Sequence, residues 1–168
     1  GLVSVGGNPM ISHVIQTLEK LGVKSIKICA NDERYEQFNY PVIKDLVKGK
    51  GPIGGIYSAL VESTTDKNVI LSCDIPNISV DILQYLLENS EDELAAISSF
   101  EKKTHPLIGV YKLGGLSIIK ECLENDQLRL IDMCEKLDAS IVEIPGSVGS
   151  DRHFFNLNTP EELENSML

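Results

Sequence analysis

The chain has 168 residues, of which 42% are hydrophobic and 24% charged, so its composition is that of one globular domain rather than a disordered segment. Only 5% of the residues are aromatic and none is Trp, so the core must consist mainly of Leu, Ile and Val. The formal net charge of -10 argues against broad binding to nucleic acid or to anionic membranes, but a local basic spot could still hold a small anion.

Apolar periodicity predicts alternating helices and strands. The first helix is predicted over 9–21, with Asn8 as its N-cap and Gly22 as its stop. Further helices are predicted at 52–62, 79–89 (capped by Ser79), 116–123, 128–137 and 159–166. Strands are predicted at 25–30, 40–44, 69–73, 94–98, 107–112 and 140–144. This alternation predicts a mostly parallel sheet with helices on both faces.

The cysteines and histidines show no spacing of a metal site. No two of the four cysteines form a CxxC pair, and three of them lie inside apolar segments. We therefore expect reduced, buried thiols in a cytoplasmic protein. No apolar run is long enough to span a bilayer, and no signal peptide opens the sequence.

The segment 69–79, VILSCDIPNIS, ends an apparently buried strand in an acid. A carboxylate is costly to bury without a partner. Ligands of parallel α/β folds bind at the carboxyl ends of strands, which makes Asp74 a candidate site residue. The alternative interpretation is that Asp74 caps the turn that contains Pro76, since Asp-x-Pro turns are common. The spacing alone leaves both open.

The segment 44–60, KDLVKGKGPIGGIYSAL, combines three lysines with a helix that begins near Pro52. A helix N-terminus offers free N–H groups and a partial positive charge to an anion. Gly54 and Gly55 allow close approach of a ligand or of backbone. Simple packing of small residues against the sheet explains these glycines equally well.

Two further segments carry isolated polar candidates. His105 precedes a proline at the mouth of a predicted strand, where it is either a substrate contact or a surface residue. Thr159 and Pro160 are typical of a helix start. Asn156 and Asn158 alternate on one side of an extended stretch, where they either contact a nucleotide or sugar or fasten a turn.

Five segments follow one another in a characteristic order. They are G-x-P-M-I-x-H-V-I, G-P-I-G-G-I-x-x-A-L, S-C-D-I-P-x-I, H-P-L-I-G-V-Y and F-x-N-L-N-T-P-E-E-L, within 7–163. In this order they resemble the MobA-like nucleotidyltransferases, a family that includes molybdenum cofactor guanylyltransferase. GPIGG, DIP and NTPEEL are the most specific parts. The resemblance implies a Rossmann-like, three-layer αβα fold of the nucleotide-diphospho-sugar transferase type.

The resemblance also implies an activity. The family's guanylyltransferase binds GTP and Mg²⁺, joins GMP to the phosphate of molybdopterin and releases pyrophosphate. Asp74 matches the catalytic acid that holds Mg²⁺, a hard cation that suits one or two carboxylates plus phosphate oxygens. GTP and molybdopterin would be the small-molecule partners, with a MobB-like protein or a molybdoenzyme as a protein partner. Nucleic acid and membrane are not implied.

The remaining site residues are carried over from the same resemblance. Asp45 matches an acid that contacts GTP, and Asn31 lies near the family's nucleotide-contacting asparagine. The wall of that nucleotide site would be shaped by Gly51, Pro52 and Gly54. The reacting phosphates or the pterin phosphate would be faced by His105, Arg129, Asn156 and Asn158.

One departure from the family lies at the start. The family opens with a strand and a glycine-rich loop of the type L-A-G-G-x-S-x-R-M-G-x-x-K, and residues 1–9 correspond to the segment just after it. We therefore expect residues 1–168 to be a single, N-terminally incomplete nucleotidyltransferase domain that does not catalyse transfer by itself. The alternatives are a cytidylyl- or sugar-phosphate nucleotidylyltransferase, and a non-catalytic nucleotide-binding module.

Overall fold

A computed structural model describes residues 1–155 and shows helices packed on both faces of a four-stranded sheet. The helices are α1 (Met10–Leu21), α2 (Gly51–Val61), α3 (Val80–Glu88), α4 (Leu116–Glu124), α5 (Leu130–Lys136) and α6 (Asp151–Phe154). The strands are β1 (Ser4–Val5), β2 (Asn8–Pro9), β3 (Ile28–Cys29), β4 (Val42–Ile43), β5 (Lys67–Leu71), β6 (Ala95–Phe100), β7 (Lys103–Lys112) and β8 (Ser140–Glu143). Short 3₁₀ helices cover Glu33–Phe38 and Leu113–Gly115.

The main sheet has the strand order β5-β7-β6-β8. Strands β5, β6 and β8 run in one direction, and β7 runs against its two neighbours. A separate parallel pair is formed by β3 and β4, and a hairpin by β1 and β2. The predicted α/β fold with helices on both faces is confirmed, and β7 is the antiparallel member of a parallel-rich sheet.

The reversed direction of β7 comes from a tight turn. Phe100 pairs with Lys103, so only Glu101 and Lys102 connect β6 to β7. Both adopt positive φ, 48° and 66°, as a two-residue hairpin turn requires. A parallel neighbour would instead need a crossover connection of a dozen or more residues. The sequence did not predict this turn because neither residue is the Gly, Asn or Asp that such turns favour.

Alternation along β6 divides the interior into two cores. Ala96 and Phe100 point into a core shared with α1 and α3. Ala95 and Ile97 point into the opposite core, which contains residues of α2, α4 and α5. Successive side chains of a strand face opposite sides, so one central strand supports both helical layers.

The helix ends agree with the sequence in two cases and differ in one. Gly22 ends α1 at φ 79°, with its N–H donated to the carbonyls of Glu19 and Leu18. Ser79 caps α3 by accepting from the Ile82 N–H at 3.3 Å. The predicted N-cap Asn8 is wrong, because Asn8 pairs with Val5 in the β1–β2 hairpin and Pro9 occupies the cap position.

Two strands differ from the prediction in ways that matter for the site. β5 is mostly half-buried rather than buried, and within residues 1–155 it pairs only with β7. β7 begins at Lys103, so His105 and Pro106 lie inside the strand rather than before it. The predicted closing helix, 159–166, lies outside the described residues. Within residues 1–155, no helix is both long enough and apolar enough to cross a membrane.

The paired residues Ile97 and Ile141 give a stability test on adjacent strands. Ile97 is 1% exposed and Ile141 is 59% exposed. Ile97→Ala should lower the free energy of unfolding by about 2–5 kcal/mol, because it leaves a cavity in the core. Ile141→Ala, the matched control, should change it by about 0.5 kcal/mol, as is usual at the surface. Equal decreases in the free energy of unfolding of the two variants, measured by urea denaturation, would contradict this assignment of the core.

Candidate functional site

Three predicted site residues follow the ends of three strands. Asn31 comes two residues after β3, Asp45 two residues after β4, and Asp74 three residues after β5. Because β3 and β4 are parallel, their carboxyl ends meet at one edge. The last bond of this pair runs from the Ala30 N–H to the Ile43 carbonyl at 2.9 Å, one residue before Asn31 and two residues before Asp45.

Asn31 and Asp45 hold each other through two hydrogen bonds. The Asn31 Nδ2 donates to the Asp45 Oδ2 at 2.8 Å, and the Asp45 backbone N–H donates to the Asn31 Oδ1 at 3.0 Å. The amide therefore fixes both the backbone and the carboxylate of Asp45. The sequence predicted these residues as separate ligand contacts, and the structure joins them in one pair.

The first turn of α2 packs beside this pair. A Cβ added at Gly55 would lie 4.0 Å from the Asp45 Oδ1, in ordinary contact. A Cβ at Gly54 would lie 3.1 Å from the Val47 carbonyl oxygen and 3.2 Å from the Lys50 Cβ. For Gly54 the structure thus favours the packing interpretation, because a side chain there would press on the loop backbone. Pro52 lies in the first turn, after Gly51 at φ 57°.

Ser58 fastens the loop that carries Asp45, a role that the sequence did not reveal. It is fully buried, donates from its hydroxyl to the Gly54 carbonyl at 2.7 Å and accepts from the Leu46 N–H at 3.0 Å. The available signal was a small polar side chain in the largely apolar helix GPIGGIYSAL, and a buried hydroxyl must find partners.

The three lysines near this loop do not converge on one spot. Lys50 pairs with Asp126 and donates to the Leu123 carbonyl at 3.0 Å, at the end of α4. Lys44 is exposed and lies 3.8 Å from Glu33. Lys48 is also exposed. An anion at this edge would therefore meet few cations already aimed at it.

Asp74 is half-buried and accepts a hydrogen bond from the Ser72 hydroxyl. The Ser72 N–H donates to the Leu107 carbonyl at 2.9 Å, so the β5–β7 ladder continues past the end of β5. The turn that follows is closed by its own bond, from the Ile78 N–H to the Ile75 carbonyl at 3.2 Å. The hydrogen bond described for Asp74 comes from Ser72 and not from that turn, so the geometry does not support the turn-cap interpretation, and a role in a ligand site stays a prediction.

The carboxylate of Asp74 fits a magnesium ion that is shared with a substrate. Ser72 occupies its Oδ1, and Oδ2 remains for another ligand. Residues 1–155 contain no group of three or more His, Cys, Asp and Glu side chains that could hold a metal by itself. Mg²⁺ commonly uses one or two carboxylates together with phosphate oxygens and water, so a single oxygen donor here suits it.

His105 lies on β7 opposite Ser98, near the carboxyl end of β6. Its ring packs against Phe154 with 4.8 Å between centroids, and Phe154 stacks on Phe100 at 4.9 Å. Burial, and to a lesser extent the charge of Lys103, lowers the pKa of His105 below its usual 6.5. Because this pKa lies below 6.5, most of the imidazole is uncharged at pH 7.

The other predicted contacts are not joined to this edge by the described geometry. Arg129 precedes α5 with its side chain 78% exposed, and its guanidinium lies 3.4 Å from Asp132 of the same helix. Asn156 and Asn158 lie outside the described residues, so their roles stay predictions.

All four cysteines are free, and their environments differ. Cys122 and Cys134 are buried, Cys73 is half-buried and Cys29 has an exposed side. Protein packed around the Cys29 sulfur, and then the negative charge of Asp45, raises the pKa of that thiol to about 11. Cys29 is therefore a thiol and not a reactive thiolate at neutral pH.

Comparison with known proteins gives a consistent result. The family profile described as "MobA-like NTP transferase domain" matches residues 1–138. A relative from Flavobacterium johnsoniae, named "Probable molybdenum cofactor guanylyltransferase", is 42% identical over 165 residues, which are 97% of this chain and 85% of the relative.

Two solved structures show the same fold. Molybdopterin-guanine dinucleotide biosynthesis protein A from Archaeoglobus fulgidus has a TM-score of 0.79 and 23% identity, over 98% of this chain and 87% of that protein. The 4-diphosphocytidyl-2C-methyl-D-erythritol synthase from Anaerococcus prevotii has a TM-score of 0.78 and 9% identity, over 97% and 86%. At these identities the likeness concerns the fold alone.

The packing of His105 on Phe154 predicts a pH-dependent signal. The His105 ring protons should titrate in NMR with a midpoint below 6.5, because burial disfavours the imidazolium. As the pH falls below 6.5 the unfolded chain takes up this proton first, so His105 should contribute to a loss of stability on acidification. Phe154→Ala should move the midpoint towards 6.5. A wild-type midpoint at or above 6.5 would contradict the packing described here.

Proposed function

The chain belongs to the MobA-like NTP transferase family, and on this basis we propose that it transfers GMP from GTP to molybdopterin and releases pyrophosphate. The observation that carries the proposal is the Asn31–Asp45 pair, set at a carboxyl edge of parallel strands in a nucleotidyltransferase fold. Such edges are where α/β folds bind ligands.

Asp45 is the proposed contact for the base or the ribose. Guanine presents neighbouring N–H donors on N1 and N2, and a carboxylate accepts from such an edge or from ribose hydroxyls. Asn31 uses part of the Asp45 Oδ2, and a carboxylate has about four acceptor positions, so capacity for a ligand remains. Asn31 holds the acid in one orientation before the nucleotide arrives, which lowers the entropy cost of binding.

Asp74 is the proposed magnesium ligand and catalytic carboxylate. When bound, Mg²⁺ would neutralise charge on the α-phosphate of GTP. Asp74 contributes one carboxylate, which accepts a hydrogen bond from the Ser72 hydroxyl. The acceptor's phosphate oxygen forms the new bond to the α-phosphorus while the bond to pyrophosphate breaks, so no covalent bond to the protein is needed. On the side of the acceptor, we propose that the pterin phosphate or the reacting phosphates are faced by His105, Arg129, Asn156 and Asn158.

The cellular setting is part of the same proposal. Four free thiols suit a reducing compartment, so we place the protein in the cytoplasm. The acceptor would be handed over by, or passed on to, a protein that binds molybdopterin, such as a MobB-like protein or a molybdoenzyme.

Nucleotide titration calorimetry, combined with a pyrophosphate-release assay, tests the proposal. With Mg²⁺ and molybdopterin, the full-length protein should release pyrophosphate from GTP and should bind GTP more tightly than CTP. A preference for CTP would favour a cytidylyltransferase. Binding of GTP without any release of pyrophosphate would favour a non-catalytic binding module.

Asp74→Asn should abolish nucleotide transfer while the fold stays intact, because the neutral amide no longer offers a carboxylate to Mg²⁺. Pyrophosphate release at saturating GTP and Mg²⁺ measures the activity, and far-UV circular dichroism checks the fold. Asp92→Asn is the control, since Asp92 is exposed and lies just before the amino end of β6. Near-normal turnover by Asp74→Asn at saturating Mg²⁺ would refute this role.

Asp45→Ala should weaken GTP binding by about 1–3 kcal/mol, the cost of leaving polar groups of the ligand unpaired. Titration calorimetry with GTP measures the change, and Asp92→Ala serves as the control. An unchanged affinity for GTP would mean that Asp45 has only the structural role seen in its bond to Asn31.

A further inference from the structure

Ser72 occupies the boundary between the sheet and the turn that carries Asp74. Its N–H donates to the Leu107 carbonyl at 2.9 Å, one residue beyond the last paired residue of β5, Leu71. Its backbone is therefore held by β7. Asp74, two residues later, lies in a turn outside the ladder.

The Ser72 hydroxyl connects this fixed backbone to the Asp74 carboxylate. The hydroxyl donates to the Asp74 Oδ1. Among the described residues 1–155, no other hydrogen bond to this carboxylate is seen. Both residues are half-buried. The hydroxyl has a single proton, which it donates to Oδ1, so Oδ2 stays available. The bond restrains the rotation of the carboxylate.

We propose that Ser72 is a positioning residue, which holds the Asp74 carboxylate in the orientation that a magnesium-nucleotide complex needs. This inference rests on the proposed role of Asp74. Groups that hydrogen-bond a metal-binding carboxylate fix its direction, and their loss typically weakens metal binding by about 10- to 100-fold. Ser72 is a neutral partner, so it orients the carboxylate without cancelling the charge that a cation requires.

A merely structural hydroxyl would affect nucleotide binding equally with and without Mg²⁺, whereas a positioning hydroxyl would affect only the magnesium-dependent part. Ser72→Ala keeps the backbone bond to Leu107, and the next turn keeps its own bond between Ile78 and Ile75. These two backbone bonds on either side of Asp74 therefore do not depend on the hydroxyl. Its loss should act on the magnesium-dependent part of nucleotide binding and leave the magnesium-independent part unchanged.

The test is titration calorimetry of the full-length protein with GTP, once with Mg²⁺ and once with EDTA. The dissociation constant with EDTA divided by that with Mg²⁺ is the gain in affinity that Mg²⁺ gives. Ser72→Ala should reduce this gain about tenfold, the lower end of the usual range. Ser72→Thr, which keeps the hydroxyl, should retain it. Ser72→Val, which matches Thr in shape but has no hydroxyl, should behave as Ser72→Ala does.

Ser63→Ala is the matched control. Ser63 is also half-buried and donates to a side-chain oxygen, that of Asn68, but it lies before the amino end of β5. It should leave the gain unchanged. The Thr–Val pair keeps the test decisive even if Ser72→Ala folds poorly.

Each other outcome overturns the inference. If Asp74→Asn loses the gain and the hydroxyl-free variants at 72 keep it, Ser72 does not position Asp74 and the magnesium role of Asp74 stands. If the hydroxyl-free variants weaken GTP binding equally with Mg²⁺ and with EDTA, Ser72 is only structural. If Asp74→Asn keeps the full gain, the proposed magnesium site itself is wrong, and the role of Ser72 falls with it.

Discussion

Every residue of the central strand β6 is buried between the two helical layers, and the polar residues Asn31, Asp45 and Asp74 lie beyond the ends of other strands. β3 and β4 end side by side, and each is followed within two residues by a polar side chain. β5 ends before the Ser72–Asp74 pair. The candidate chemistry therefore lies at the carboxyl ends of these strands and depends on how each short loop is tied down.

Both acids are held by neutral partners. An amide, that of Asn31, restrains Asp45, and a hydroxyl, that of Ser72, restrains Asp74. A lysine or arginine in either place would have formed an ion pair and weakened the electrostatic attraction between the carboxylate and a cation or N–H groups. Of the nearby cations, Lys50 pairs with Asp126 and Lys44 lies 3.8 Å from Glu33. Each carboxylate thus has a hydrogen-bond partner that carries no opposing charge.

The same loops depend on groups that touch no ligand. Ser58 joins the Asp45 loop to α2, and Gly54 lets that loop pack closely on the helix. The net charge of -10 gives no general attraction for an anionic nucleotide, and burial lowers the pKa of His105, which leaves most of its imidazole uncharged at pH 7. Under the proposed function, binding of a triphosphate would therefore rely on short-range contacts and on a cation rather than on long-range steering.

The sequence by itself determined the features that depend on neighbouring residues. The alternation of helices and strands, the stop at Gly22 and the cap at Ser79 follow from local periodicity and local hydrogen bonding, and all three are confirmed. Only the tertiary structure decided the long-range features. Asn31 and Asp45 are 14 residues apart, and Lys50 finds Asp126 across 76 residues. The two-residue turn before β7 reversed a strand and moved His105 into the sheet, and it did so with residues that carry no turn signal. Such contacts arise because the packing of distant elements on one sheet overrides weak local preferences, which no short segment of sequence encodes.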